Sequence, residues 1–361
     1  MLAGEPRRWL GDRIRRARLM ARMSLRELSG KVGVSAQAIS KYERGADVPR
    51  SEVLIRLARA LGVGAEYLLR PGPRLSVRPA YRKRARLPQR ETKSLTERAA
   101  ELLERWISAE ELVLGAAHAL RLPEGFPRPA CSEEEAERAA EDLRRAWDLG
   151  SGPLPDLCGL LSRRGIRVGE VDGPKGFDGL ALLAGDGEQY ALIVVRRGVP
   201  GDRQRFTVAH ELSHLVLDLP EEAERICHRF AGAFLVPREA LRLDLGEQRR
   251  TLTVQELMHL KLRYGVSMQA LIRRAAEVGV LPADRAKGLL IWLRRCGYHR
   301  REPGPQVPPE HPGASLEDMV ERGFAEGLLS EGRATELLGR PPRSIGGRGT
   351  HRRETAVEAV P

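Results

Sequence analysis

The residues best suited to chemistry lie in one short segment, where His210 and His214 are four positions apart and Glu211 lies between them. On a helix this spacing places both imidazoles on one face, where they can bind one zinc ion. Glu211 could then take a proton from water, since zinc lowers the pKa of water that it binds to about 7. The pattern predicts a hydrolytic zinc centre, although such a match also occurs on solvated helices that bind no metal.

A zinc site that keeps a water molecule needs a third protein ligand, because sites with four protein ligands are structural. Glu224 and His228 are four apart and would share one helix face. The residues downstream that could supply the ligand are Asp218, Glu221, Glu222, Glu224 and His228. The residue types and spacing leave the choice among them open.

A second group of residues, near the N-terminus, is typical of DNA binding. Ser24 and Ser35 are each expected to begin a helix, and Gly33 between these helices permits a tight turn. In a helix-turn-helix, the second helix lies in the major groove. The side chains expected to face DNA are Ser35, Gln37, Ser40, Lys41 and Arg44 of the second helix and Arg26 of the first. We expect Gln37 and Lys41 to contact bases, and Arg26 and Arg44 to contact phosphates.

The positive charge of the chain is confined to the same end. The 361-residue protein has a net charge of +12, and residues 1–90 contain 22 Lys and Arg against 7 Asp and Glu, whereas the remainder contains 39 against 42. A field of this kind attracts phosphate polyanions and gains affinity by releasing their counterions. We therefore expect double-stranded DNA as a partner of the N-terminal part, although a basic face can also be merely solvated.

The elements that must position these residues predict a multidomain protein of α and α+β class. Short helices over residues 8–69 form an all-helical domain, and apolar runs at Ile166–Val171, Gly179–Leu183 and Tyr190–Val195 predict a small sheet. Asp202 is expected to cap the helix that carries His210, as in a zincin-like fold, and a further helix should cover Glu221 to Leu235. Additional helices are predicted at 95–120, from Ser132 to Trp147, and after Thr253 and Ser267.

This pattern divides the chain into five predicted segments. They are a helix-turn-helix domain at 1–72, a basic, proline-rich linker at 73–95, a metallopeptidase domain at 96–245, a helical subdomain at 246–300, and a tail at 301–361 with short helices near 314–339. Basic residues at 82–86 are expected to contact DNA backbone, and 339–361 is expected to be disordered.

Both groups of residues resemble known families. Residues 9–69, with the strings SLRELSGKVGVS and ISKYERG, resemble the XRE family of phage Cro and repressor proteins. The stretch from FDGLALL through DRQRFTVAHELSHLVLD to ERICHRFAGAFLVP is similar to the ImmA/IrrE family of metallopeptidases. The second resemblance implies Glu224 as third ligand and Glu211 as general base. The first implies a homodimer.

The sequence departs from the peptidase family at three positions near the site. Ser213 stands where the family usually has glycine, Asp218 where histidine is common, and His228 where asparagine is frequent. His228 is therefore a candidate hydrogen-bond donor to one of the metal ligands. The alternative is that it displaces Glu224 as ligand.

The resemblances imply a DNA-binding transcriptional regulator with a zinc-dependent endopeptidase domain that holds one zinc ion. The N-terminal residues have no apolar core of a signal peptide, which predicts a cytoplasmic protein. Its expected protein substrate is a specific repressor or antitoxin, often of the XRE type. One alternative is an antitoxin-like or autoregulatory repressor whose peptidase-fold domain is a non-proteolytic sensor of a ligand or of stress. Another is a zinc site that only stabilises the fold.

Three further features bear on these interpretations. Cys131, Cys158, Cys227 and Cys296 lie far apart and predict reduced, mostly buried thiols rather than a disulfide framework or a thiolate zinc cluster. No apolar run approaches the roughly 20 residues of a membrane-spanning helix, so no membrane partner is expected. Finally, Gly33–Ile39 resembles Gly265–Leu271, which predicts either a second helix-turn-helix or, preferably, two packed structural helices.

Overall fold

The computed structural model describes residues 5–70, 77–79, 87–185, 188–221, 223–311 and 314–343. They form an N-terminal helical region, then a mixed region with two small sheets and many helices, which confirms the predicted fold class. Contacts divide the chain into one unit of 1–104 with 118–313 and a smaller unit of 105–117 with the described part of 314–361. Among the described residues, no helix is both long enough and apolar enough to cross a membrane.

The N-terminal region consists of five helices around one apolar core. They are α1 (Glu5–Met20), α2 (Leu25–Val32), α3 (Ala36–Glu43), α4 (Ser51–Leu61) and α5 (Ala65–Leu69). Ile14, Leu28 and Ile39 are fully buried in this core. The backbone of α1 comes so close to α3 that a Cβ at Gly11 would lie 2.5 Å from the carbonyl oxygen of Tyr42. The helices predicted over 8–69 are therefore present.

Part of the segment predicted as a linker is ordered. Strand β1 (Val77–Pro79) pairs with a sheet strand, and α6 (Gln89–Leu114) begins six residues before the helix predicted at 95–120. Within the predicted linker, the Ser94 hydroxyl donates to the carbonyl oxygen of Met20 at 2.9 Å, and the Glu91 carboxylate lies 3.1 Å from the Arg22 Nε atom. These partners are distant in sequence, which is why local composition alone indicated a linker. Residues 80–86, with the basic positions expected to contact DNA, lie outside the described residues.

The mixed region supplies the remaining elements of the larger unit. They are β2 (Arg128–Pro129), α7 (Glu133–Ala146), α8 (Leu157–Ser162), β3 (Ile166–Val171), β4 (Gly179–Ala184), β5 (Tyr190–Arg196), α9 (Gly201–Val216), β6 (Leu217–Asp218), α10 (Glu224–Leu235), α11 (Arg238–Leu245), α12 (Val254–Tyr264), α13 (Met268–Glu277) and α14 (Ala283–Arg295). The four-stranded sheet has the order β1-β4-β5-β3. Strand β4 pairs antiparallel with β1 and β5, and β3 pairs parallel with β5. The three strands predicted at 166–195 are confirmed.

The start of α9 differs from the prediction. The helix begins at Gly201 with Pro200 at its N-cap, and Asp202 lies inside the first turn rather than capping it. A Cβ at Gly201 would lie 2.3 Å from the carbonyl oxygen of Pro308, so a distant segment packs against the helix start. The Asp202 carboxylate instead lies 3.6 Å from the buried ammonium group of Lys261. The capping prediction was wrong because it could not include this tertiary packing.

The repeated segment near residue 265 forms a second helix–turn–helix that is built into the core. Gly265 has φ 66° and Ser267 caps α13, which matches the geometry at Gly33 and Ser35. Arg274 of α13 is 2% exposed and makes a bidentate ion pair with Glu137 of α7, at 2.6 and 2.7 Å. This burial confirms the interpretation as packed structural helices.

The smaller unit contains the end of α6 and two further helices, α15 (Ala314–Ala325) and α16 (Glu331–Leu338). Arg340, which follows α16, forms ion pairs with Glu317 and Glu321 of α15, at 3.2 and 3.1 Å. Both helices lie where the sequence predicted them. The prediction of disorder from residue 339 onward was wrong for residues 339–343, where Arg340 and Arg343 contact carboxylates of α15, and residues 344–361 lie outside the described residues.

The four cysteines are unpaired, but they are not mostly buried. Cys227 is buried and Cys158 is partly buried, whereas Cys131 and Cys296 are exposed. Cys131 precedes the α7 N-cap, and Cys296 is the C-cap of α14. Helix ends lie at the surface here, which is why the general preference of cysteine for burial failed at these two positions.

Candidate metal centre and nucleic-acid interface

Helix α9 brings the two predicted histidines together. His210 and His214 have ring centroids 5.4 Å apart, as expected for residues one helical turn apart on the same face. His210 is 6% exposed and Glu211 is fully buried, because α9 packs between the sheet and α10. The segment is therefore a buried helix with one edge open to a cleft, and not a solvated surface helix.

The sheet fixes the position of the Glu211 side chain. A Cβ at Gly179 of β4 would lie 3.0 Å from the Glu211 Cγ atom and 2.6 Å from the Thr207 Cγ2 atom. Only glycine at position 179 lets β4 pass so close to the turn of α9 that contains Thr207 and Glu211. Sequence reasoning did not single out Gly179, because the close approach depends on how the strand and the helix pack.

Helix α10 brings further metal-binding side chains towards His210. The Glu224 carboxylate lies 3.7 Å from the His210 Nε2 atom, and the ring centroid of His228 lies 4.9 Å from that of His210. Among the described residues, the possible ligand atoms of His210, Glu224 and His228 all lie within 4.8 Å of one another. Glu224 and His228 are exposed, so this group faces the cleft.

A second group combines His210 and His214 with Cys227, and its ligand atoms also lie within 4.8 Å of one another. The Cys227 Sγ atom lies 3.8 Å from the His214 Nε2 atom. Sequence reasoning missed Cys227, although its position three residues after Glu224 on one helix was a usable signal. His210 belongs to both groups, whereas the predicted ligands His214 and Glu224 fall in different groups.

Burial shifts the pKa of two side chains of this centre, Cys227 and His228. Burial raises the pKa of the Cys227 thiol to about 12, with a hydrogen bond to Ser213 opposing the rise. Loss of water around the imidazole lowers the pKa of His228, and the nearby Glu224 carboxylate opposes this shift. Both shifts favour the neutral side chain. A neutral imidazole is the form that binds a metal ion.

The other positions singled out near the site have different roles or none. The Ser213 hydroxyl donates to the carbonyl oxygen of His210 at 2.6 Å, inside the core. Asp218 belongs to β6, which pairs with β2, and is exposed. Asp218 and Glu221 line the cleft but join neither metal-binding group. Glu222 lies outside the described residues.

A cleft connects the centre to solvent. His210, His214, Glu224 and His228 line it, together with residues of α13 and of the segment after α14. Five exposed arginines also line it, namely Arg203, Arg225, Arg273, Arg300 and Arg301. A peptide could therefore reach the histidines without unfolding of the described core.

The predicted DNA-facing residues lie on one exposed part of the helical region. Ser24 caps α2 in a capping box with Glu27, Gly33 has φ 74°, and Ser35 accepts a hydrogen bond from the Ala38 amide at 3.1 Å. The predicted contact residues that are exposed are Arg26, Ser35, Gln37, Lys41 and Arg44, and Ser40 is partly buried. The outward face of α3 therefore has no protein covering it among the described residues.

Helix α3 is held firmly from the side opposite this face. Ile39 is fully buried in the core. At the end of α3, Glu43 accepts two hydrogen bonds from the Arg18 guanidinium, at 2.6 and 2.8 Å. A rigid support of this kind is what a helix needs to present side chains to base edges.

Comparisons with known proteins match both regions. Residues 14–68 match the family model described as Helix-turn-helix, and residues 163–276 match the model described as IrrE N-terminal-like domain. Two curated relatives from Mycobacterium tuberculosis strains, each described as an uncharacterized HTH-type transcriptional regulator, are 43% identical over 58 residues. That match covers 16% of this chain and 41% of each relative.

The two family matches enclose the two groups of residues described above. The first contains the exposed face of α3, and the second contains α9 and α10. The chain therefore combines a region similar to helix-turn-helix domains with a region similar to the IrrE N-terminal-like domain.

Proposed function

We propose that the IrrE-like domain is a zinc-dependent endopeptidase that cleaves a specific protein, such as a repressor or an antitoxin. The observation that carries the proposal is the convergence of donors from α9 and α10 on His210. One buried helix supplies two imidazoles 5.4 Å apart, and the next supplies a carboxylate 3.7 Å from one of them. His210, His214 and Glu224 are the donor types of a catalytic zinc site.

The chemistry assigns a separate task to each side chain. A zinc ion held by His210, His214 and Glu224 would act as a Lewis acid that polarises the scissile carbonyl and activates water. Glu211 accepts the proton of the attacking water and then donates it to the leaving amine. Its complete burial beside Gly179 restricts the side chain to few positions, and a fixed position is what a general base requires.

Exposed arginines of the cleft are positioned to bind an acidic segment of a protein substrate, and carboxylates line the cleft as well. Arg225, Arg273 and Arg300 are exposed along the cleft that contains the histidines. Arginine is well suited to bidentate binding of carboxylates. A specific regulatory protein with such a segment would be held in one register, whereas general proteolysis would not need this arrangement.

The N-terminal region would direct the protein to an operator. The proposed base contacts are Gln37 and Lys41, which are exposed on α3, and the proposed phosphate contacts are Arg26 and Arg44. Ser35 and Ser40 lie at the same face. We propose binding as a homodimer to a two-fold symmetric site.

Cleavage is tested by incubating the zinc-loaded protein with transcription regulators encoded beside it and measuring intact masses. We expect two fragments of one regulator with the wild type and none with Glu211→Gln. The variant should still bind zinc, since Glu211 is not a proposed ligand. Equal cleavage by both proteins would remove Glu211 from the mechanism.

A second candidate function is a regulator whose peptidase-like domain binds metal without catalysis. The group of His210, Glu224 and His228 favours it, because binding of both α10 side chains would use the position that water needs. His228→Asn separates the two functions. Retained zinc with unchanged or increased cleavage supports the peptidase, whereas loss of zinc together with absence of cleavage in the wild type supports the structural site.

A further inference from the structure

Cys227 is the one thiol that lies at the centre. It is fully buried on α10, between the positions of Glu224 and His228, with its Sγ atom 3.8 Å from the His214 Nε2 atom. The other three cysteines belong to no metal-binding group within the described residues. Burial among apolar neighbours alone would explain a cysteine in the core, but it would not explain one that faces two imidazoles.

The separation of the three donors suits a single metal ion. In a tetrahedral zinc site, bonds of about 2.3 Å to sulfur and about 2.0 Å to nitrogen separate the ligand atoms by roughly 3.5 Å. The Sγ to Nε2 distance of 3.8 Å is close to this value, and all three ligand atoms lie within 4.8 Å of one another. Small side-chain rotations would complete the site.

The carboxylate is placed differently. Glu224 lies near His210 but groups with the exposed His228, and its side chain is 65% exposed. His214 groups instead with the buried Cys227. The centre therefore has an inner set of donors and an outer set, and His210 is shared between them.

We propose that Cys227 binds the metal ion together with His210 and His214, so that the buried side of the centre is closed by a thiolate. The proposal rests on the metal site of the proposed function and adds Cys227 as the ligand on its buried side. The thiol proton passes to water when the ion binds, and Glu224 must leave the ion to open a position for the attacking water. Glu224, on the cleft side, then remains able to bind or release the ion when a substrate enters. A thiolate ligand also favours soft ions such as zinc over manganese or magnesium.

Cobalt(II) substitution tests the proposal in the full-length protein. Tetrahedral cobalt gives ligand-field bands in the visible region, and a thiolate ligand adds a sulfur-to-cobalt charge-transfer band in the near ultraviolet. We expect both in the wild type. Cys227→Ala should lose the near-ultraviolet band and keep the visible bands, and the matched control Cys296→Ala, at an exposed cysteine, should keep both.

The spectra separate the two possible failures. Visible bands without any near-ultraviolet band in the wild type would overturn the role of Cys227 and leave the metal site intact. The same conclusion follows if Cys227→Ala keeps the near-ultraviolet band. Absence of every cobalt band, with no cobalt retained on dialysis, would instead overturn the proposed metal site. The first and the last of these cases are decided by the wild-type spectrum alone, so they do not depend on the folding of a variant.

Discussion

The two helix–turn–helix segments of this chain share a local structure and differ in what covers the second helix. At Gly33 and Gly265 the backbone has φ 74° and 66°, and Ser35 and Ser267 accept hydrogen bonds from Ala38 and Ala270 at 3.1 and 3.2 Å. The only buried residue of α3 is Ile39, whereas five residues of α13 are buried. The same local sequence therefore specifies the turn, and the tertiary surroundings decide whether the helix can reach DNA.

The positions at which the two segments differ explain why α13 is buried and α3 is exposed. Ser40 and Tyr42 of α3 correspond to Ile272 and Arg274 of α13, which are fully and almost fully buried. An apolar side chain and an arginine with a buried partner attach α13 to the core of the mixed region. Helix α3 has neither, so its outward face stays exposed.

The largest effect should come from breaking the attachment of α13. Arg274→Ala leaves Glu137 without its closest buried partner, which typically costs about 3–5 kcal/mol. We expect the free energy of unfolding in urea to fall by about this amount. The double variant Arg274→Met with Glu137→Leu should recover most of the loss, since it removes both charges. If the single variant lost less than the double variant, the ion pair would not be what attaches α13.

The two glycines should respond differently to alanine. At positive φ an alanine costs about 1–2 kcal/mol, which is what we expect for Gly33→Ala, where a Cβ meets no atom within 4 Å. At Gly265 a Cβ would lie 2.4 Å from the Arg205 Nε atom. Overpacking adds about 1–3 kcal/mol there. Urea unfolding of both variants would contradict this account if Gly33→Ala were the more destabilised.

Corresponding cations on the two helices should differ in DNA binding. Lys41 and Arg273 occupy equivalent positions and both are exposed. Lys41→Ala should weaken binding to a site selected from random DNA by about 1–3 kcal/mol, while random DNA is little affected. Arg273→Ala should change neither affinity. Fluorescence anisotropy would rule out base contacts by Lys41 if both DNAs lost affinity equally.

The smallest effect should come from the feature that the two segments share. Ser35→Ala and Ser267→Ala each remove one N-cap hydrogen bond, so each should lower the free energy of unfolding by about 1 kcal/mol. Thermal unfolding followed by circular dichroism is a suitable measurement. A cost several times larger at one serine would show that the two turns are not equivalent.

Local signals in the sequence were sufficient for much of this fold. Ser24 and Thr253 cap the helices predicted to follow them, each in a capping box, and β3 has the bounds expected from its apolar residues. Strand β1 could not be foreseen, because three residues become a strand only by pairing with β4. Asp202 was assigned as a cap because its residue type is favoured there, whereas distant packing sets the start of α9.

The sequence likewise predicted the local structure of the candidate site and not the packing around it. The spacing of His210 and His214 predicts a shared helix face, and the structure shows it. Cys227 and Gly179 matter only through the packing of α10 and β4 against α9. No pattern along the chain shows how two elements pack. Sequence reasoning therefore found the helix that carries the histidines and missed Cys227 and Gly179, which pack against it.

The proposed metal site depends on His210 and His214 of α9, which together hold one metal ion. Metal analysis of zinc-loaded, dialysed protein tests it most directly, with His214→Ala as the variant and His259→Ala, an exposed histidine on α12, as the control. We predict one zinc ion per chain in the wild type and the control, and loss of zinc from His214→Ala. Full zinc content in His214→Ala, or none in the wild type, would contradict the account.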